Sequence, residues 1–277
     1  MHEAGRGDTV RRIARSGDPD RALAALFAPR QTRADLLALY ALNVELARIA
    51  EQVSEPELGT IRLQWWRDAL ERAKEGESTG HPVADALGEV MRRRSLAPDR
   101  IGGLIDARVF DVERNIMPDW RSLEAYLGDT AGALFALGAA CGGANGASVE
   151  PAASQAGLAY GLTGLMRALP VHAASGRVYL PGEALARHGT SPEAVLAGKT
   201  EDGLRALLAE LRQQAREALA EARRQVAELE PPAQAAFLPL CLVEPYLDSL
   251  EKSRDPAREI AGINPLHRLW RMARWRW

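Results

Sequence analysis

The stretch LTGLMRALPVHAASGRVYLP, Leu162–Pro181, carries two arginines, a histidine and a tyrosine but no acidic residue. The gap is wider than the quotation. No Asp or Glu occurs from Pro151 to Gly182, although 37 of the 277 residues are acidic, so that about four would be expected in a window of this length. Its first half has helical spacing, with Gly157, Gly161 and Gly164 recurring at steps of three and four, which suits close helix packing better than a phosphate loop. Pro170 lacks an amide proton and disfavours helix at Leu169, so the spacing predicts an end or a kink there. The glycines and serine of Ser175–Gly182 predict a loop.

Outward from this stretch the pattern stays helical. Leu36, Leu39, Tyr40, Leu46, Ala47, Ala50 and Val53 form one face of a helix over 36–53, and 58–73, 82–94, 101–114, 122–140 and 155–169 repeat the pattern. The longest run, 201–229, is followed by Pro231 and Pro232, which predict its stop. A further helix is predicted over 233–253, bent at its prolines, and a short one over 265–275. Breaks fall at 75–80 and 142–146. The expected architecture is all-α, one domain of nine or ten helices spanning 21–277, preceded by a polar segment over 1–20 and closed by a basic, Trp-rich helix over 264–277.

Bulk properties exclude several functions. A formal net charge of −2 gives no pull toward nucleic acid. The apolar runs 131–141 and 235–243 are too short for a membrane span of roughly 20 residues. The polar start, with four acids before residue 21, reads neither as a secretory signal nor as a transit peptide. The expectation is a cytoplasmic chain. Cys141 and Cys241 each sit in an apolar run and read as reduced core thiols. Gly142, Gly143 and Gly146 follow no predicted strand, and the five histidines form no metal-binding pair. Glu45, Arg48 and Gln52 share a helix face, as a local charge pair or as a polar cluster in a cavity.

At the carboxy terminus, Arg268, Arg271, Arg274 and Arg276 have no acidic neighbour after Glu259. On a helix, Leu266, Leu269, Trp270 and Ala273 face one way and the arginines mainly another. Two readings remain open. The segment contacts an anionic bilayer through Trp270, Arg271, Arg274, Trp275 and Trp277, or it closes the core with a solvated basic rim.

Six segments, taken in order, resemble the squalene/phytoene synthase family: ALYALNVELARIAEQVSE (38–55), HPVADAL (81–87), LIDARVFDVE (104–113), YLGDTAGAL (126–134), GLTGLMRALPVHAASGRVYLP (161–181) and LPLCLVEPYL (238–247). The resemblance implies an isoprenoid-synthase fold, with helices around a central cavity. Active members join two prenyl diphosphates head to head, using Mg²⁺ held by two D-x-x-x-D motifs on facing helices. On this chain those motifs fall on Ala47 and Glu51, with Arg48 beside the first, and on Ala168 and His172. Only Glu51 keeps a carboxylate, and Mg²⁺ prefers oxygen ligands. The resemblance places Tyr40, Asn43, Arg167 and Arg177 around the diphosphates, where they would hold an anion or else pin helices as an internal polar cluster.

Residues 43–70 and 165–181 are similar to a non-catalytic branch of the family that helps assemble respiratory complex I. That likeness implies membrane-arm subunits of complex I as partners, no catalytic residue and no cofactor. It also implies peripheral contact with the inner face of the plasma membrane. The rivals are a prenyl-diphosphate transferase that uses Mg²⁺ and an isoprenoid- or lipid-binding protein without chemistry.

Overall fold

The computed structural model describes residues 3–277, and among them there are helices and no strands. The helices are α1 (Glu3–Gly17), α2 (Pro19–Ala25), α3 (Arg30–Gln52), α4 (Pro56–Glu75), α5 (Pro82–Arg94), α6 (Pro98–Glu113), α7 (Trp120–Leu127), α8 (Ala133–Cys141), α9 (Glu150–Ala174), α10 (Gly182–Arg187), α11 (Pro192–Leu196), α12 (Asp202–Ala227), α13 (Pro231–Gln234), α14 (Val243–Lys252) and α15 (Pro265–Arg274). A π-helical turn, Gly128–Gly132, joins α7 to α8 in one rod. With that rod counted once, ten helices of eight or more residues build the bundle, and α2, α10, α11 and α13 are short connectors.

Proline sets many of the starts. Pro56, Pro82, Pro98 and Pro265 open α4, α5, α6 and α15, where the missing amide proton costs nothing. Left-handed residues set the stops. Gly76 ends α4 at φ 97°, and the same conformation ends α5 at Ser95 and α6 at Arg114. The helices α3 and α9 run through the middle of the bundle. The first packs against α1, α5, α6 and α8, and the second lies along α12 and the π turn. α9 meets the π turn closely at Gly157, where a Cβ would stand 2.5 Å from the Cα of Gly132. Gly161 lies equally close to Leu127, but Gly164 faces open space and lines the central cavity instead.

Three expectations need correction. α9 does not stop at Pro170; it continues to Ala174. Packing along α12 and against the core holds the helix through the one missing hydrogen bond, and the turn closes again with Ser175 N donating to Val171 O at 3.1 Å. The predicted helix over 233–253 is broken: Ala235–Leu242 is 3₁₀, with Pro239 inside it, and only Val243–Lys252 is α-helical. The segment up to residue 20 is not set apart from the bundle in the residues described. α1 packs on α3 and α5, and Val10 and Ala14 are buried in the main core. The two cysteines are unpaired and buried, and burial pushes both thiols up to about 12.

Candidate functional site

The central cavity has a volume of about 370 Å³ and is enclosed by α2, α3, α6, the α7–α8 rod, α9 and the loop after α9. The helical period of α3 brings Asn43, Ala47, Ala50 and Glu51 to its wall, and that of α9 brings Tyr160, Gly164, Ala168 and His172. Because α9 continues past Pro170, Ala168 and His172 share a face one turn apart.

The polar centre of the cavity is Asp111 on α6. Its side chain accepts from Arg108 Nη1 at 2.9 Å, Tyr126 Oη at 2.8 Å and Tyr179 Oη at 2.7 Å. Arg108 in turn donates to Asn43 Oδ1 at 2.7 Å. Arg177 binds backbone: Nε donates to Asp111 O at 3.2 Å and Nη2 to Ala50 O. That arginine stitches α3, α6 and the loop after α9 together. On the opposite wall Arg21 pairs with Asp18 at 2.9 Å and lies over the Tyr160 ring, 4.3 Å from its centroid. Arg21 Nη2 and Arg108 Nε are buried N–H donors with no protein acceptor.

Burial pushes the Tyr126 phenol well above its usual range, and the neighbouring Asp111 charge adds to the effect. Burial also lowers His172 to about 4, with Arg177 acting in the same direction and Asp111 against it. His172 is therefore neutral at pH 7 and packs at a tilt against Tyr179, with ring centroids 4.6 Å apart. A depressed histidine makes the unfolded chain the better proton acceptor below its own pKa of about 6.5. Stability is thus unaffected above that pH and falls as pH drops toward 4. His172→Gln should remove on the order of 2 kcal/mol of this acid sensitivity between pH 6.5 and 4.5, read from urea unfolding across that range.

The expected site residues divide. Asn43, Ala47, Glu51, Ala168, His172 and Arg177 meet at the cavity. Tyr40 does not line it; its side chain is fully buried in the core, with its ring 6.0 Å from the Arg21 guanidinium. Arg48 turns away and donates to Ser16 Oγ at 3.2 Å, and Gln52 accepts from Arg62, so the expected grouping of Glu45, Arg48 and Gln52 does not form. Arg167 also leaves the cavity. It lies 3.4 Å from the Tyr246 ring centroid, donates to Ala261 O and pairs with Asp20 at 3.6 Å.

Residues missed in the sequence are Arg21, Arg108, Asp111, Tyr126 and Tyr160. Arg108 and Asp111 stand three apart in a predicted helix, a signal that could have found them.

The four positions implied for Mg²⁺ hold two alanines, a buried neutral histidine and one carboxylate, Glu51. Asp111, the other acid of the wall, already accepts from three donors. This donor set does not fit a magnesium ion, which takes several carboxylate, phosphate or water oxygens.

Residues 14–276 match the profile of the squalene/phytoene synthases. The chain belongs to the squalene/phytoene synthase family. The rat NADH dehydrogenase (ubiquinone) complex I assembly factor 6 is 30% identical to it over 240 residues, covering 87% of this chain and 72% of that protein. A phytoene synthase of Mycobacterium tuberculosis is 28% identical over 161 residues, 58% of this chain and 52% of that enzyme. Among solved structures, the squalene synthase HpnC of Alicyclobacillus acidocaldarius superposes with a TM-score of 0.79 at 22% identity, covering 90% of this chain and 94% of that one. The squalene/phytoene synthase fold, helices around a central cavity, is thus shared.

The carboxy-terminal helix of this family member is seated in an unexpected orientation. Arg268 points inward and donates to Asp20 at 3.0 Å, and Arg271 donates to Cys241 O, a carbonyl of the 3₁₀ segment, at 3.2 Å. Met272 is buried, while Leu266, Leu269 and Trp270 are exposed at 77%, 46% and 53%. Trp275 and Trp277 are partly buried and pack back onto the core. No helix among the described residues is long and apolar enough to cross a membrane.

Proposed function

We propose that the protein is a non-catalytic assembly factor for respiratory complex I, acting on components of that complex and not on prenyl diphosphates. The observation that carries this reading is the donor set of the cavity. One carboxylate stands where a family enzyme would need several, and Asp111, Arg108, Asn43 and Arg177 are engaged with one another or with backbone. Ionising an allylic diphosphate requires the leaving charge to be neutralised, and no cluster of three metal-ligating side chains occurs among the described residues. The match to proteins named complex I assembly factor 6 supports the same reading. The protein would work from the inner face of the plasma membrane, without a cofactor.

The test is deletion of the gene in its host. Assembled complex I and NADH-dependent quinone reduction should both fall, and unchanged levels of both would sink the reading. The transferase alternative rests on the shared fold. Incubation of the purified protein with farnesyl or geranylgeranyl diphosphate and Mg²⁺ should give no head-to-head product. A product lost on changing Arg177 or Arg167 would restore that alternative.

A further inference from the structure

A second hollow lies outside the central cavity, between the amino-terminal helices and α15. It is a groove of about 930 Å³, at the upper end of the roughly 300–1,000 Å³ typical of ligand pockets. Its apolar lining comes from Pro19, Ala22, Leu23, Leu26, Leu37 and Pro265. Its charged residues are all arginines: Arg11, Arg12 and Arg15 from α1, and Arg268 from α15. Arg11 is paired with Asp8 and Arg268 with Asp20, whereas Arg12 and Arg15 have no carboxylate partner among the described residues. Beside the groove, Leu26 and Phe27 are exposed at 52% and 42%, and α15 turns Leu266, Leu269 and Trp270 outward.

We infer that this groove binds an anionic phospholipid of a bilayer surface, with an acyl chain along the Ala22–Leu26 floor and the phosphate on Arg12 and Arg15. The charge arrangement selects the occupant. An apolar trough edged by unpaired guanidiniums matches a molecule with a hydrocarbon tail and an anionic head. Guanidinium forks also suit a phosphodiester better than a neutral headgroup. The exposed face of α15, continuous with the groove at Pro265, rests at the same depth in the interface. Lipid therefore enters from the membrane side. The central cavity is not its site: it is smaller, about 370 Å³, and its arginines are already engaged, Arg21 with Asp18, Arg108 with Asp111 and Asn43, and Arg177 with backbone carbonyls. The inference does not depend on the assembly role, since lipid binding is measurable on the isolated protein.

The experiment is co-sedimentation of the full chain with vesicles of phosphatidylcholine alone or mixed with phosphatidylglycerol. It is combined with a phosphatidylglycerol whose acyl chain carries a photoactivatable group. Binding is expected to require phosphatidylglycerol. Arg12→Gln with Arg15→Gln should weaken it about thirtyfold, from two surface charges at the usual gain per basic residue. Leu26→Asp, at an exposed position, should abolish the acyl cross-link to the 22–26 segment, with an unchanged circular dichroism spectrum showing that the fold persists. Equal binding to pure phosphatidylcholine, full binding by the double variant, or cross-links confined to residues 266–270 would each overturn the groove as the lipid site. Loss of complex I assembly without loss of vesicle binding would leave it standing.

Discussion

Asp111→Ala should be the most damaging single change in this protein, costing about 3–5 kcal/mol of folding stability. The Asp111 carboxylate is 5% exposed and faces an Arg108 side chain that is 11% exposed. Removing the carboxylate leaves that guanidinium buried without a counter-charge and strips two buried phenols, Tyr126 and Tyr179, of their acceptor. Each loss leaves a partly or wholly desolvated donor without its protein acceptor, to be satisfied only by water in the cavity. Against a typical total of about 5–15 kcal/mol, a loss of this size is a large part of the whole. Urea unfolding at pH 7 measures it. Asp111→Asn keeps the volume and an acceptor oxygen and should cost less than alanine. The backbone acceptor used by Arg177 survives in both variants, so the deficit reports the side chain alone. A loss under about 1 kcal/mol would mean that the network is a bystander.

Asp20→Ala should come next, at about 2–4 kcal/mol, and should also loosen the carboxy-terminal helix. Asp20 is 4% exposed and gathers Tyr246 Oη at 2.7 Å, Arg268 at 3.0 Å and Arg167 at 3.6 Å. One carboxylate thus ties α2 to α9, α14 and α15. Its arginine partners are about a quarter exposed, so water recovers part of what the substitution removes, and the range lies below that for Asp111. Limited proteolysis separates the two effects. The variant should be cut faster in the 254–264 connection than the parent, with α15 released while the core persists under native conditions. Equal cutting rates would show that Met272 and the Arg271–Cys241 contact hold α15 unaided.

The long elements were legible in the sequence because their apolar residues recur over many turns. The prediction of 36–53 lies within α3 except for its last residue, Val53, and that of 201–229 extends just beyond α12 at both ends. Pro170 misled because a local rule met a helix held on both sides of the proline by packing. The 3₁₀ segment at 235–242 escaped because a continuous apolar run looks the same in either geometry. At the site, the family resemblance placed Ala47, Glu51, Ala168 and His172 on one cavity. It could not show that Arg48 and Arg167 turn away, because their partners Ser16, Asp20 and Ala261 lie 32–147 residues off along the chain. The tail shows the same limit. Its pattern separated leucines and tryptophan from arginines correctly, but which side faces the protein is decided by Asp20 and the carbonyl of Cys241.

The stitch made by Arg177 also bears on the order of folding. Its two bonds span 66 and 127 residues of chain, to Asp111 and to Ala50. Neighbouring helix pairs such as α4–α5 close short loops and meet early, whereas contacts of such long separation must first overcome the entropy of bringing distant chain together. The central cavity is therefore expected to close late, once the carboxy-terminal end of α9 has docked. Intermediates caught before that step would carry most of the helix content of the finished protein and none of its pocket.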